Sequence, residues 1–503
     1  MTLFSKNAGQ ARARLVQTGV VFVAAALVAG CGSTYRPVVT PINTSGPPAQ
    51  PTSYAVVVSA PSPTTAGIAT IVDYSGDTIL AEANIGPGPS NLTLTQSGSL
   101  GYTLNSDGTL TNFGVSPSLQ TKNVTYSTLP STAVPLNLFS PANGLWAADL
   151  DGNLADVFTG GPESFELSIP VAATPVMVVG PGSGAQRYFS ISQGFDAPSG
   201  NNTNGVACSI SPTTAPVNGE VDGIEVASFT VSSHIPVGKC PVYAVQSADN
   251  RRLFVMDRGD DTIAVINSQN NTIDSCVCPP GGCLNQNGQA YTCHPSLPVS
   301  PAPGLAHAGP IYAEYNTATS QLVVANYDGN SISVIDVSLD EYGNDSPTFG
   351  ATFTIPVGNN PASVTVLADG SRAYTANQTD GTVSIVDLSS HTVEKAALPV
   401  IGHPRTVVST QNSQFGKVYV ASPDSPYLTI IQTGGTAPDT VDTTILVEGN
   451  IVDVRVTSQT ATAGNNANVT RNPGHGQPCN LPPGLMASTY GPNYTLAKCQ
   501  TLP

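Results

Sequence analysis

Two of the six histidines stand in loops of the same build, Ala306-His307-Ala308-Gly309-Pro310 and Gly402-His403-Pro404-Arg405. Gly238-Lys239-Cys240-Pro241 and Gly358-Asn359-Asn360-Pro361 share that build. Each loop is punctuated by Gly or Pro and runs into a short stretch rich in Val, Thr or Ala, which reads as the entrance to a strand. Aspartates recur in turns along the same region, at Asp257, Asp260, Asp261, Asp328 and Asp380. Imidazole, ammonium and guanidinium groups beside carboxylates can grip an anion or, through His and Asp, a metal ion. If the loops open at one end of a common scaffold, Lys239, His307, His403 and Arg405 share a face with these aspartates. A ligand site there is one reading. Solvated loop polarity is the plainer one and carries more weight.

Other chemistry finds less support. The chain has no G-x-S-x-G and no H-E-x-x-H, so the usual signatures of a serine hydrolase and a zinc hydrolase are missing. Asp149 to Asn153 begins like a calcium loop but lacks the distal Glu. Arg258-Gly259-Asp260 is better taken as a turn than as an adhesion tripeptide. No catalytic residue, resident metal or cofactor is assigned.

Nine cysteines are present. Eight of them, Cys208, Cys240, Cys276, Cys278, Cys283, Cys293, Cys479 and Cys499, form an even set, which in an exported chain favours disulfides. Four crowd into 276–293 with spacing C-x-C-x4-C-x9-C, which fits no zinc pattern. The Gly, Pro and Asn around them cannot pack a core, so cross-links must hold that insertion. Connectivity stays open, although Cys479 and Cys499 are placed to close a loop in the tail 459–503.

The ninth, Cys31, follows a segment with Lys6, Arg12 and Arg14 and an apolar run from Val20 to Val28. That run is too short to span a bilayer and suits a signal peptide over 1–30. Leu27-Val28-Ala29-Gly30-Cys31 resembles the bacterial lipobox, which implies lipidation at Cys31 and anchoring in the cell envelope, with Gly32 favouring the outer membrane. Residues 31–53, rich in Pro, Ser and Thr, read as a tether reaching roughly 70 Å if extended at about 3.1 Å per residue. Net charge is −16 and becomes −19 without the three basic residues of the leader. Such a surface repels phosphate backbones and argues against nucleic-acid binding.

The elements that must position these groups repeat. Gln321 to Asp336 reads QLVVANYDGNSISVID, followed by Thr354-Ile355-Pro356-Val357-Gly358 and then PASVTVLADG over 361–370. Arg372 to Asp387, Arg252 to Asn267 and Lys417 to Gln432 are further copies, and weaker ones begin near Tyr54, Tyr102, Trp146 and Tyr188. β-Branched runs bounded by Asn, Asp and Gly are strands joined by tight turns. The pattern resembles the YVTN repeat over about 54–458. The resemblance implies an all-β propeller of four-stranded blades. Inner-strand patterns near 90–97, 134–140, 174–180, 240–246, 309–315, 361–367, 404–410 and 450–457 predict eight blades, against the seven more common in the family. The last would pair with the first blade and close the ring.

Fold analogy offers three functions. The favoured expectation is a non-enzymatic binding or scaffold module, monomeric, displayed on the envelope to a protein or glycan partner. Lactonase-like or quinoprotein-like enzymes share the architecture, but among inner-strand residues only Glu314, Asp453 and Arg455 carry charge. A structural surface-layer role is the third.

Overall fold

A computed structural model describes residues 53–457, apart from 63, 131–132, 134, 142–143, 150–151, 182–184, 195–217, 277–281, 285–287 and 411. Cys31, Cys208, Cys278, Cys479 and Cys499, the leader, the tether and the tail therefore lie outside the described residues.

Eight blades form a ring. Blades 2 to 8 each follow chain order from inside out, over 91–128, 135–170, 175–236, 241–298, 310–356, 361–399 and 406–446. Blade 1 is composite. Its three outer strands are Tyr54–Ala60, Ala66–Asp73 and Ile79–Pro87, and its innermost is Asn450–Val456, paired antiparallel with Tyr54–Ala60. All eight inner strands fall where the repeat predicts them. Among the described residues the helical element is a single 3-10 turn, Thr121–Asn123.

The inner strands are almost wholly buried, while outer strands such as Thr392–Pro399 alternate between exposed and partly buried residues. A blade covered on both faces by its neighbours needs apolar residues on both sides of its inner strands, and β-branched side chains suit that pleated packing. Aromatic rings weld the seams. Trp146 and Phe139 of blade 3 meet Tyr188 of blade 4 edge-on at 5.2 and 5.1 Å. Tyr243 of blade 5 and Tyr312 of blade 6 lie 4.6 Å apart.

A polar ladder recurs inside blades 2, 6 and 7. An Asn at the end of the second strand donates to hydroxyls at the first and third positions of the third strand. Asn105 reaches Thr109 and Thr111 at 2.9 and 2.7 Å, Asn326 reaches Ser331 and Ser333 at 3.0 and 2.9 Å, and Asn377 reaches Thr382 and Ser384 at 3.1 and 2.9 Å. The third-position hydroxyl then accepts a backbone N–H from the chain that leads into its own blade: Gly86, at the end of the outer strand before it, donates to Thr111, and Gly358, in the entering loop, to Ser384. The Asn amide N–H groups and these hydroxyls are thereby paired with neutral partners.

Blade 5 departs from the pattern in its outer strand, which is made in two pieces. Thr272–Ile273 pairs with one end of Thr262–Asn267 and Ser296–Pro298 with the other. The cysteine-rich insertion leaves between them, its neck clamped by the Cys276–Cys293 disulfide. Cys240 and Cys283 are also disulfide-bonded. Beside the neck, buried Arg252 bridges Asp345 at 3.1 Å and Asp274 at 3.4 Å, and His294 Nδ1 lies 2.7 Å from Asp345. The insertion is thus pinned to the loop of blade 6.

Candidate functional site at the mouth of the ring

In an up-and-down blade the loop entering the inner strand and the hairpin between the second and third strands lie at the same end. That end is the mouth predicted to gather the charged loops. Acids and amides in the hairpins tie these loops down. Asp260 Oδ2 accepts the Lys239 N–H at 2.7 Å, Asp380 Oδ2 that of Asn359 at 2.7 Å, and Asp424 Oδ1 that of His403 at 2.8 Å, each within one blade. The last hairpin position instead reaches the next blade. Asp261 Oδ1 accepts from Ala308 and Gly309, both at 2.8 Å, Asn330 Oδ1 from Asn360 at 2.9 Å, and Asn153 Oδ1 from Thr174 at 2.8 Å. These three residues have φ of 54°, 47° and 54°, a left-handed conformation that Asn and Asp tolerate better than most residues.

The two histidines sit on the same locks. His307 Nδ1 lies 3.0 Å from Asp261 Oδ2, and His403 Nδ1 lies 2.6 Å from Asp424 Oδ2. Each imidazole is about half exposed. A carboxylate on Nδ1 fixes a ring's orientation and tautomer, so both imidazoles are held in place with half their surface open. The structure does not bring them into one metal site. They enter blades 6 and 8, and among the described residues neither belongs to a group of three or more metal-ligating side chains.

Arg405 is a correction to the expected mouth set. It is 2% exposed, and its Nη2 donates to Val452 O at 3.0 Å, beneath the closing strand. Lys239 stays partly exposed. Asp257 is buried, and burial drives its carboxyl well above the usual range. Asp328 faces the neighbouring blade, where it takes both arms of Arg258 at 2.8 and 2.9 Å. Arg258 also lies 5.4 Å over the ring of Tyr327, whose hydroxyl donates to Gln378 at 3.1 Å. The first hairpin residues of blades 5, 6 and 7 thus form one chain of contacts around the mouth.

The inner-strand charges are all buried. Arg455 pairs with Asp453 at 2.9 Å and donates to Leu92 O at 3.2 Å, and Thr406 Oγ1 donates to Asp453 at 3.0 Å. Burial pushes the Tyr312 phenol up to about 12, with nearby Arg455 working against it and Glu314 with it. Arg455 and Asp453 thus neutralise each other inside the ring. On the opposite face a cavity of about 430 Å³ is lined by Trp146, Tyr102, Phe229 and Glu163. Sequence reading gave no sign of it, because its walls come from three blades. Asp424 was also missed, since its turn, Ser422-Pro423-Asp424-Ser425, lacks the Asp-Gly signature.

No protein-family model matches the sequence, and the curated proteins contain no match. Solved structures do show similar folds. AztD from Citrobacter koseri superposes with a TM-score of 0.53 at 11% identity, over 82% of this chain and 99% of that one. Its apo structure gives 0.52 at 12% identity, over 80% and 97%. Dihydro-heme d1 dehydrogenase NirN, in complex with DHE, gives 0.53 at 14% identity, over 84% and 78%. At such identities the likeness is one of fold.

Proposed function

We propose that this chain is a lipid-anchored propeller of the bacterial cell envelope that works as a binding or scaffold module for a protein or glycan partner. The observation that supports it is the use to which the mouth's charges are put. Hairpin acids hold loops, Arg258 and Asp328 tie blades, and Asp453 and Arg455 of the closing strand pair with each other. What faces outward is a rigid rim carrying Lys239, His307 and His403, and rigid scaffolds bearing variable loops are suited to recognition. The lipobox-like run at Cys31 supplies the anchor, and the acidic surface sets nucleic acids aside as partners.

The test has two arms. The chain expressed in a two-membrane bacterium is expected to take up a palmitate analogue and fractionate with membranes, and Cys31→Ala to abolish both. The purified mature chain, used as bait against envelope extracts and a glycan array, is expected to retain a partner that is lost when Lys239→Glu, His307→Ala and His403→Ala are combined. An unlabelled wild-type chain overturns the anchor. Undiminished binding by the triple variant overturns the mouth as the binding surface.

A further inference from the structure

Blade 4 breaks the polar ladder at every rung. Where blades 2, 6 and 7 have Asn at the end of the second strand, it has Ser192. Where they have hydroxyls at the first and third positions of the third strand, it has Glu220 and Asp222. The outer-strand residue paired with Asp222 is His234. Ser192 pairs with Glu220, so all four share one face of the sheet near the mouth.

The neutral rung has one architectural duty in blades 2 and 7, to accept a backbone N–H from the chain that leads into the blade. Asp222 Oδ2 performs it, accepting from Ala172 at 2.6 Å. A hydroxyl does this in blades 2 and 7 without burying a charge. The second oxygen, Oδ1, is therefore surplus to the fold. It is buried, has no well-aligned hydrogen-bond donor, and lies 2.7 Å from His234 Nδ1. Glu220 Oε1 approaches the same nitrogen at 2.8 Å. One imidazole N–H can serve one of these oxygens well, not both. Ser192 Oγ, fully buried on this face, has no hydrogen-bond partner.

Charge balance points the same way. Two buried carboxylates stand two residues apart, and among the described residues the charged groups named beside Asp222 are Glu220 and His234. Burying acids without matching cations is costly.

We infer that Glu220, Asp222 and His234 form a binding site for a divalent transition-metal ion of the zinc or manganese class. Carboxylate and imidazole donors suit those ions, and the three ligand atoms already lie within 4.8 Å of one another. Ligands at about 2.0–2.2 Å from one ion stand a little over 3 Å apart, so the nitrogen must withdraw by roughly half an ångström. His234 can do so, because its side chain is 52% exposed. The two carboxylates are fixed by the sheet. Three protein ligands with an accessible imidazole leave coordination positions to solvent, the mark of a site that exchanges its ion or presents it to a further ligand. This inference does not depend on the lipid anchor or on a macromolecular partner.

The test uses the full mature chain stripped with a chelator, then titrated with ZnCl₂ or MnCl₂ by calorimetry and checked by elemental analysis. One ion per chain is expected, with affinity falling at least tenfold in His234→Ala and unchanged when His307→Ala and His403→Ala are combined. The sharper variant rewrites blade 4 to its siblings' pattern, Glu220→Thr with Asp222→Ser. It is expected to fold with an unchanged or higher Tm and to bind no metal. Failure of the wild-type chain to take up either ion overturns the inference, and so does full uptake by the folded rewritten variant. Should that variant not fold, His234→Ala decides: unchanged affinity overturns the site.

Discussion

Tyr54 and Thr457 stand 403 residues apart and hold each other by three hydrogen bonds: Tyr54 N–H donates to Thr457 Oγ1 at 2.8 Å, and Thr457 donates to Tyr54 O through its N–H at 2.9 Å and its hydroxyl at 3.3 Å. They fasten the end of the pairing between Asn450–Val456 and Tyr54–Ala60. A chain stopped after Gly449 would leave Val56, Val57 and Val58 with a bare strand edge. Such an edge invites pairing with another molecule. Truncation is expected to cost more than about 5 kcal/mol, the range of gross structural damage. Size-exclusion chromatography should show self-association, and the urea transition should broaden or vanish.

The fork between Arg258 and Asp328 joins blades 5 and 6, with side chains 9% and 31% exposed. A bidentate pair is stronger than a single contact, but the half-open carboxylate is partly screened. Arg258→Ala is expected to lose about 1–2 kcal/mol in urea unfolding. Arg258→Lys should recover less than half, because an ammonium cannot form the fork.

Asp156 of blade 3 has its pKa raised to about 6 by burial, with Ser168 lowering it and Asp149 raising it further. The raised value means the folded chain prefers the protonated acid. Between the unfolded value near 4 and the folded value near 6, the native state holds the extra proton, so stability falls as pH rises across that window and levels off above it. Asp156→Asn is expected to be more stable than the natural chain at pH 7–8 by about 1–2 kcal/mol. The two melting curves should converge below pH 4. A stabilising effect that persists at pH 3.5 would contradict the assignment.

Arg252, 4% exposed by its side chain, stands between Asp274 and Asp345, which are equally hidden. Removing this guanidinium leaves Asp274 without its buried cation and Asp345 with His294 as its remaining ion-pair partner among those described, and Arg252→Ala is expected to cost about 3–5 kcal/mol. The Cys276→Ala and Cys293→Ala pair should behave differently. The clamp closes the insertion rather than the ring, so limited proteolysis should gain a cut within 277–292 while the ring's Tm moves by a few degrees.

The ring was legible because its inner strands carry their own punctuation. Pro or Gly precedes most of them, β-branched runs follow, and the eighth run is the one left over at the end to join Tyr54–Ala60. Arg405 was misjudged because its acceptor, Val452 O, comes from the closing strand 47 residues later, and a residue after Gly-His-Pro looks like part of an exposed loop. The divided outer strand of blade 5 escaped notice because Thr272–Ile273 and Ser296–Pro298 are too short to show a period. Glu220, Asp222 and His234 meet only through strand register. The sequence does hold a trace of them, since an Asn followed after three or four residues by [Ser/Thr]-x-[Ser/Thr] occurs in blades 2, 6 and 7, while blade 4 has Ser192 and Glu220-Val221-Asp222 in those places.

Because blade 1 takes its innermost strand from the far end of the chain, synthesis and folding cannot keep step. Tyr54–Ala60 is among the first strands made, yet its partner follows nearly 400 residues later. At about 5–20 residues per second, tens of seconds pass before that partner exists. For all that time the youngest chain offers an unfilled edge, and only the last few residues of the ring withdraw it.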